Sequence, residues 1–354
     1  MNCFIRMFLL TLAIGVICSC EESKKGILGD FDDTVNLSED ICVLNECIAP
    51  NHIVLVDTFL FYEEMEDRDL LRCLNLNTKD VKGFLSRGNG PDDALNVINL
   101  SSFLGNDNYL QAFISPEKIY LYDIKNMIDS NIRPIEIIKM CKGQYAYSSA
   151  FLINQNEMFY VGKKNESDTC RYCVYDFLKD SLYSYGSFPR EDLNCYEFPD
   201  TDSSKQLAYQ GHFVISPNGK KIFFYFYYAL GFEIVDVENH KIEYSKFYQY
   251  PDVRVNYIPE LGINKLNRNQ DSYRGFLDAS VTEHFIYVLY AGKRFSEDYS
   301  SGIHVLKYDW KGIPQAHYKL NVEVTSIAVD EKETFLYCTT NEENGRIIKY
   351  EIAK

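Results

Sequence analysis

Residues 283–320 read EHFIYVLYAGKRFSEDYSSGIHVLKYDWKGIPQAHYKL, and they contain three extended runs separated by turns. Residues 285–291 and 302–309 are rich in β-branched and aromatic side chains, which favour β-strands. The third run, residues 313–320, follows after only Trp310, Lys311 and Gly312. Glycine at the end of so short a connection is typical of a tight turn that needs a positive φ. The stretch therefore predicts three antiparallel strands.

The same unit recurs along the chain, and its most apolar runs start roughly 50 to 65 residues apart. These six runs are residues 52–57, 108–114, 157–161, 221–228, 285–291 and 334–340. A continuous apolar run indicates a strand that is covered on both faces, as the middle strand of a propeller blade is. The sequence predicts an all-β fold, a six-bladed β-propeller of four-stranded antiparallel blades. A pair of β-sandwiches is the alternative, but it does not explain the even spacing.

The last repeat lacks a fourth strand, because the chain stops at Lys354 soon after its third strand. An open ring would expose long unpaired strand edges. We therefore expect an N-terminal strand, somewhere within residues 27–37, to fill this place and close the ring. The predicted organisation is a signal peptide at 1–20, a tether and possible closing strand at 21–34, and a propeller domain at 35–354.

The N-terminus has the features of an export signal. Arg6 precedes the apolar run 7–17, and Cys18, Ser19 and Cys20 follow at once. The run is too short to span a bilayer, which takes roughly 20 apolar residues. Residues 17–20 resemble the lipobox of bacterial lipoproteins, which implies cleavage before Cys20 and lipidation of its thiol. An ordinary cleaved signal peptide is the alternative. We expect an exported protein, lipid-anchored to the bacterial cell envelope in the periplasm or at the outer membrane.

The charge and the cysteines exclude some functions. With 51 acidic and 36 basic residues, the chain has a formal net charge of −15, which repels phosphate backbones, so nucleic acid is not an expected partner. Cys170 and Cys173 have the spacing of half a zinc site, but residues three apart on a strand point to opposite faces. We favour buried thiols over a metal, and we expect no cofactor. An even number of cysteines follows Cys20, which permits disulfides without fixing their connectivity: Cys42, Cys47, Cys73, Cys141, Cys170, Cys173, Cys195 and Cys338.

Three motifs resemble those of a known family. They are SRGNGPDD at residues 86–93, SPNGK at 216–220 and HVLKYDWKGIP at 304–314. Together they are similar to the TolB-like six-bladed propeller lipoproteins of Bacteroidetes. That family typically carries Gly-x-Gly-Pro-x-Glu in the first motif, and here Asp92 or Asp93 replaces the glutamate. The resemblance covers nearly all of the mature chain and implies the fold and an envelope location, but the family brings no established activity.

Connector lengths distinguish the two faces of the predicted ring. Connections from an outer strand to the next inner strand, and from a second to a third strand, share one face, which we call the long-connector face. The long connectors all belong to these classes: residues 58–68, 86–96, 163–169, 189–206, 249–274 and 292–301. Those on the other face are tight: residues 154–156, 216–220, 238–240, 310–312 and 330–333. Because binding residues concentrate on long loops, we expect the long-connector face to be functional.

Arginine and tyrosine recur in these long loops, and forked hydrogen bonds with ring stacking would suit an anionic or glycan ligand. The alternative is that each arginine is a solvated loop residue paired with a nearby acid. The turn that contains Arg87, Gly88 and Gly90 has two interpretations. It either binds an anion or is a purely structural turn whose backbone Pro91 restricts. His212 lies on a predicted inner strand, where it would face the central channel. The candidate ligand-binding residues are Arg87, Asn89, Arg190, His212, Tyr257, Arg268, Tyr273, Arg274 and Arg294.

No catalytic motif occurs: the chain has no Gly-x-Ser-x-Gly elbow, His-Glu-x-x-His pair, P-loop or Rossmann glycine run. Two functions remain open. The first is a non-catalytic, lipid-anchored binding or scaffolding module whose partner is a glycan, a peptide or an envelope protein. The second is a propeller hydrolase or lyase that acts on glycans. Carboxylates within about 10 Å of each other in the channel would favour the hydrolase.

Overall fold

The computed structural model describes residues 26–38, 41–47, 50–64, 68–90, 92–104, 108–115, 118–128, 132–140, 145–163, 169–189, 202–260, 263–340, 342 and 345–353. The chain divides into two compact units, Met1–Asp32 and Asp33–Lys354. In the first unit, the described residues contain a 3-10 turn at Ile27–Asp30, where the backbone N–H of Gly29 donates to the carbonyl oxygen of Gly26 (2.7 Å). No described helix has the length and apolar character needed to cross a membrane.

The second unit begins with two short strands, β1 (Thr34–Leu37) and β2 (Ile41–Cys47). Three four-stranded antiparallel blades follow in chain order. Blade 1 consists of β3 (Pro50–Val56), β4 (Phe59–Glu64), β5 (Asp69–Asn75) and β6 (Val81–Ser86). Blade 2 consists of β7 (Asn96–Leu104), β8 (Asn108–Ser115), β9 (Lys118–Asp123) and β10 (Glu136–Lys139), with a 3-10 turn at Ile124–Ile128. Blade 3 consists of β11 (Tyr145–Asn154), β12 (Glu157–Lys163), β13 (Tyr172–Asp176) and β14 (Ser181–Tyr185).

Three further blades complete the unit. Helix α1 (Asp202–Ala208) precedes blade 4, which consists of β15 (Gly211–Ile215), β16 (Lys221–Phe226), β17 (Leu230–Asp236) and β18 (Lys241–Gln249). A separate hairpin follows, formed by β19 (Val253–Ile258) and β20 (Ile263–Arg268). Blade 5 consists of β21 (Phe276–Val281), β22 (Phe285–Tyr290), β23 (Gly302–Asp309) and the first half of β24 (Pro314–Val329). Blade 6 consists of the second half of β24, β25 (Phe335–Thr340), β26 (Gly345–Glu351) and β2.

The predicted fold is confirmed: six four-stranded antiparallel blades form a propeller, and an N-terminal strand closes it. The closing strand is β2, which pairs antiparallel with β26, and not a strand within residues 27–37. The reason is connectivity, because β2 leads into β3 just as every other outer strand leads into the next inner strand. Strand β1 instead pairs in parallel with the first half of β24, with Thr34 opposite His317.

Three local predictions were wrong. Residues 52–56 belong to the inner strand of blade 1, and β4 is its middle strand, so residues 58–68 are not a long connector. Both strands are largely apolar, and apolar periodicity alone could not tell one from the other. The connector at 249–274 contains the β19–β20 hairpin. The runs 313–320 and 325–329 belong to one strand of 16 residues, which passes from blade 5 into blade 6.

Adjacent blades are joined by polar bonds as well as by ring packing. The Gln111 side chain in blade 2 donates to the carbonyl of Leu152 in blade 3 (2.9 Å) and accepts from its N–H (2.8 Å). Between blades 4 and 5, the ring centroids of Phe232 and Tyr308 lie 5.0 Å apart. Paired and buried contacts of this kind make a rigid scaffold, which holds the ends of the inner strands in place around the channel.

Candidate functional site

Three polar side chains meet in the centre of the ring, near the ends where the inner strands begin. His52 of β3 and His212 of β15 come from blades on opposite sides of the ring, and their ring centroids lie 5.9 Å apart. Asn99 of β7 places its amide nitrogen 3.2 Å from Nδ1 of His212. We call His52, Asn99 and His212 the channel plug. The prediction that His212 faces the channel is therefore consistent with the structure.

Hydrogen bonding determines the protonation state of His212. The Asn99 oxygen accepts from the Leu100 N–H (2.8 Å), which orients the amide so that its nitrogen faces His212. An amide nitrogen only donates, so Nδ1 of His212 accepts and the ring proton lies on Nε2. Burial lowers the pKa of His212 well below its ordinary value, and it lowers the pKa of His52 to about 4. The two histidines of the plug are therefore neutral at neutral pH.

A carboxyl group borders the plug. One carboxylate oxygen of Glu63, on β4, lies 3.9 Å from Nε2 of His52, and only 5% of Glu63 is exposed. Burial raises the pKa of Glu63 to about 7, while the positive charge of Arg87 opposes the shift. Burial thus favours the neutral form of Glu63, which limits the negative charge near the plug.

Beyond the plug the inner strands enclose a small cavity of about 70 Å³. Asp278 is the one carboxylate among the described residues that line it. The carboxylate of Asp278 accepts from the N–H of Ile327 (2.8 Å), the N–H of Ala279 (2.9 Å) and the hydroxyl of Ser326, so it joins blade 5 to blade 6. Burial raises the pKa of Asp278 to about 6. Because no second carboxylate lines the described part of this cavity, it has no pair of the kind that a glycoside hydrolase uses.

Three arginines stack on aromatic rings at this face: Arg268 and Arg274 lie between blades 4 and 5 in the chain, and Arg294 lies in the β22–β23 connector of blade 5. The guanidinium carbon of Arg274 lies 4.4 Å from the ring centroid of Tyr227, which itself packs edge-on against His212 at 4.8 Å. Arg268 lies 5.3 Å from the centroids of both Phe295 and Tyr299, and it donates to the Tyr299 hydroxyl. Arg294 lies 5.5 Å from the ring centroid of Tyr273.

Backbone pairing holds these side chains together. Arg274 precedes β21, and its N–H donates to the carbonyl of Lys293 (2.8 Å). Tyr273 and Arg294 form an isolated bridge, so the β20–β21 and β22–β23 connectors are joined. The N–H of Tyr227 donates to Gln210 (3.0 Å), which lies immediately before the inner strand β15. Three connectors of the long-connector face thus converge beside the plug.

The charge partners of the three arginines differ. Arg294 pairs with Asp271 at 3.6 Å, and both side chains are exposed, which is the ordinary loop pairing that we weighed as the alternative. Within the described residues, Arg268 and Arg274 have no carboxylate at salt-bridge distance, and Nε of Arg274 is buried with no hydrogen-bond partner. Burial lowers the pKa of Arg274. Arginine side chains are nevertheless charged in proteins at neutral pH.

The remaining candidates lie elsewhere or outside the described residues. Arg87 and Asn89 are exposed in the β6–β7 connector, where Arg87 donates to the carbonyl of Leu95 (3.2 Å). The Gly90 N–H in that turn donates to Asp93 (3.0 Å), so an internal carboxylate already occupies it and the structural interpretation is favoured. Tyr257, on β19, is 56% exposed. Arg190 and Cys20 lie outside the described residues.

Sequence reasoning missed His52, Asn99 and Tyr227. A usable signal existed for the first two, because each lies near the start of an inner strand, as His212 does. The misassignment of residues 52–57 to a middle strand concealed the position of His52. Tyr227 gave no such signal, since it was one of several aromatic residues in a continuous apolar run.

The half zinc site does not form a metal centre within the described part of the chain. Cys173 is buried on β13, and its thiol lies 3.6 Å from the carbonyl oxygen of Gly162. No group of three or more histidine, cysteine, aspartate or glutamate side chains among the described residues could hold a metal ion. Cys141 and Cys195 lie outside the described residues.

Comparison with known proteins agrees with this architecture. The model of a family described as TolB-like 6-blade propeller-like matches residues 34–332. No curated protein matches the chain. Among solved structures, a mitotic checkpoint complex matches with 9% identity and a TM-score of 0.50, covering 92% of this chain and 93% of that one. The β-propeller domain of Cps50 (Swd1) from Myceliophteria thermophila matches with 13% identity and a TM-score of 0.47, covering 90% and 99%. At these identities the checkpoint-complex match shows the fold alone.

Proposed function

We propose that this chain, which belongs to the TolB-like 6-blade propeller-like family, is a non-catalytic binding or scaffolding module held at the bacterial cell envelope by a lipidated Cys20. The observation that carries the binding role is the convergence beside the channel plug. There, three connectors of the long-connector face bring stacked arginine and tyrosine side chains together on a rigid ring.

The structure supports binding better than hydrolysis. Asp278 already accepts three hydrogen bonds, two of which join blade 5 to blade 6, so it is poorly placed to transfer a proton to a substrate. The described residues of the cavity supply no second carboxylate. The glycan hydrolase or lyase remains the second candidate only through the neutral histidines of the plug, which could accept a proton. An assay for cleavage of the glycans that bind would decide between the two.

The lipid anchor and the assignment to the Bacteroidetes lipoproteins rest on residues 17–20 and on the motifs given above. Metabolic labelling with an alkyne fatty acid tests the anchor. We expect the mature protein to carry the label, Cys20→Ala to lose it, and Cys18→Ala, two residues away, to retain it. Label that persists in Cys20→Ala, or a mature chain that begins elsewhere, would refute the anchor.

The binding face is tested with the protein lacking its first 20 residues. Arrays of neutral and acidic glycans and of peptides would be probed with the wild type and with a Tyr257→Ala, Tyr273→Ala double variant. Tyr183→Ala is the matched control, since Tyr183 is 39% exposed on an outer strand and Tyr273 is 38% exposed. We expect the double variant to lose binding and the control to keep it. Equal loss in both variants would contradict the assignment of the face.

A further inference from the structure

Arg274 has an unusual environment for a charged side chain. Its guanidinium packs on the Tyr227 ring, and the side chain is only partly exposed. Nε is buried without a hydrogen-bond partner, and no salt bridge compensates the charge within the described residues. A buried donor left unpaired is unfavourable, and more so when it belongs to a charged group. A ligand that accepts from the Nη groups of this partly exposed side chain would give the guanidinium the charge partner that the described residues do not supply.

The groups around Arg274 select the kind of acceptor. Burial keeps His212 and His52 neutral at neutral pH, and Arg274 is a cation that stacks on Tyr227, whose ring packs against His212. The planar fork of an arginine matches the two oxygens of a carboxylate. The formal net charge of the whole chain is −15. A doubly charged phosphate or sulfate ion in the subsite is therefore repelled more strongly than a singly charged group. A single carboxylate therefore fits best.

The same surroundings favour a sugar as the carrier of that carboxylate. The blades present strand ends at this face and so offer a peptide no blade edge to extend; the hairpin β19–β20 forms a two-stranded sheet of its own, and the acidic peptide in the test below covers it. Exposed tyrosine rings offer flat apolar surfaces instead: Tyr273 is adjacent in sequence to Arg274, and Tyr257 is on the neighbouring hairpin. Such rings have an apolar body and a polar tip, which suits the mixed character of a sugar ring.

We propose that Arg274 anchors a subsite for the carboxylate of an acidic sugar residue in a glycan. The subsite rests on the binding function proposed above and specifies its ligand class. Arg274 donates in a forked arrangement to the carboxylate, Tyr227 holds the guanidinium from behind, and the neighbouring tyrosines pack against the sugar rings.

The test measures equilibrium binding of three probes to the protein lacking its first 20 residues. The first is a set of oligomers of galacturonate, glucuronate and mannuronate. The second is the methyl-esterified form of each, which has the same rings without the charge. The third is a peptide rich in aspartate and glutamate. We expect at least one acidic oligomer to bind about 10- to 100-fold more tightly than its ester, the scale of hydrogen bonds to a charged group.

Three variants then assign the effect to one side chain. Arg274→Gln should reduce the affinity for the acid to that for the ester, and Arg274→Lys should be intermediate, because it keeps the charge but loses the fork. Arg133→Gln is the matched control, since Arg133 is exposed in the β9–β10 connector on the opposite face. Adding the acid should also shift the Nε–H resonance of Arg274 in an NMR spectrum, a signal that Arg274→Lys removes.

The outcomes separate the two proposals. If acid and ester bind equally and both are lost in the Tyr257→Ala, Tyr273→Ala variant, the binding face stands and the carboxylate subsite is wrong. If the peptide binds through Arg274 and no uronate does, the sugar assignment is wrong. If none of the probes binds, the subsite is refuted, and the binding function then depends on the array experiment. Because the side chain of Arg274 donates no hydrogen bond within the described structure, Arg274→Gln should leave the Tm nearly unchanged.

Discussion

Glu233→Ala should be among the most destabilising single changes in the propeller. Glu233, on β17 of blade 4, is 1% exposed, and its carboxylate joins blade 4 to blade 3. It accepts from Nη2 of Arg171 at 2.7 Å, from the hydroxyl of Tyr172 at 2.5 Å and from the hydroxyl of Ser245 at 3.1 Å. Arg171 is itself only 4% exposed. The substitution would therefore leave a buried guanidinium without its counterion.

The expected loss follows from that geometry. Removing one partner of a buried ion pair costs about 3 to 5 kcal/mol, because the other charge stays desolvated. The rings of Tyr172, Phe188 and Phe226 lie 4.9, 5.5 and 5.7 Å from the guanidinium carbon, and their attraction cannot replace a carboxylate. Replacing both partners, in Arg171→Met with Glu233→Leu, removes both charges and keeps much of the volume. That double variant should recover most of the loss.

Urea unfolding and thermal melts of the three variants measure the effect. We expect Glu233→Ala to lower the Tm by about 5 to 10 °C, given the size of the chain. Glu238→Ala is the control, because its partner Lys220 lies 3.8 Å away and both side chains are well exposed, so the change should stay within about 0.5 kcal/mol. The reasoning is refuted if Glu233→Ala matches that control, or if the double variant is no more stable than the single one.

Three further predictions concern other parts of the ring. Gly312→Ala should cost about 1 to 3 kcal/mol in urea unfolding, because φ is +78° there and a new Cβ would lie 2.4 Å from the Tyr244 ring; an unchanged midpoint would contradict this. Glu63→Gln should become more stable than the wild type as pH rises from 5 to 8, by about 1 to 3 kcal/mol. Burial raises the pKa of Glu63 to about 7 in the folded protein, so the stabilisation that the neutral carboxyl group gives the wild type below pH 4.5 is lost as pH rises through 7. A difference in unfolding free energy between the variant and the wild type that does not change with pH would contradict this prediction. Deleting residues 1–47 should lower the Tm by about 10 °C or more relative to deleting residues 1–37, because only the longer deletion removes β2 and exposes the edge of β26; equal melts would argue against closure by β2.

Local chemistry explains why some of these features were predictable. Gly312 follows Trp310 and Lys311 between two strand-forming runs, and the positive φ expected there is observed. The middle strands of blades 2 to 6 were located because radial packing covers them on both faces, which makes them apolar at nearly every position, as in β16. In blade 1 the middle strand was not located, because the inner strand is nearly as apolar as the middle strand.

Long-range pairing was harder to predict. The need for a closing strand followed from a count of strands, but its identity did not, because β1 and β2 are both short and near the N-terminus. Which N-terminal strand pairs with β26 depends on where the chain enters blade 1. No local sequence pattern shows that position. The same applies to β24, whose two halves were predicted as separate strands although one continuous strand serves two blades.

The sequence by itself determined the repeat, the strand types, the tight turns and the face that carries the long loops. These are local properties, encoded in side-chain volume, backbone preference and spacing. Only the tertiary structure decided which polar residues meet. His52, Asn99 and His212 come from three blades, and the pairing of Arg274 with Tyr227 joins two connectors about 50 residues apart. The charge state of each group depends on how completely the closed ring excludes water around it, and no residue's own neighbours in sequence specify that.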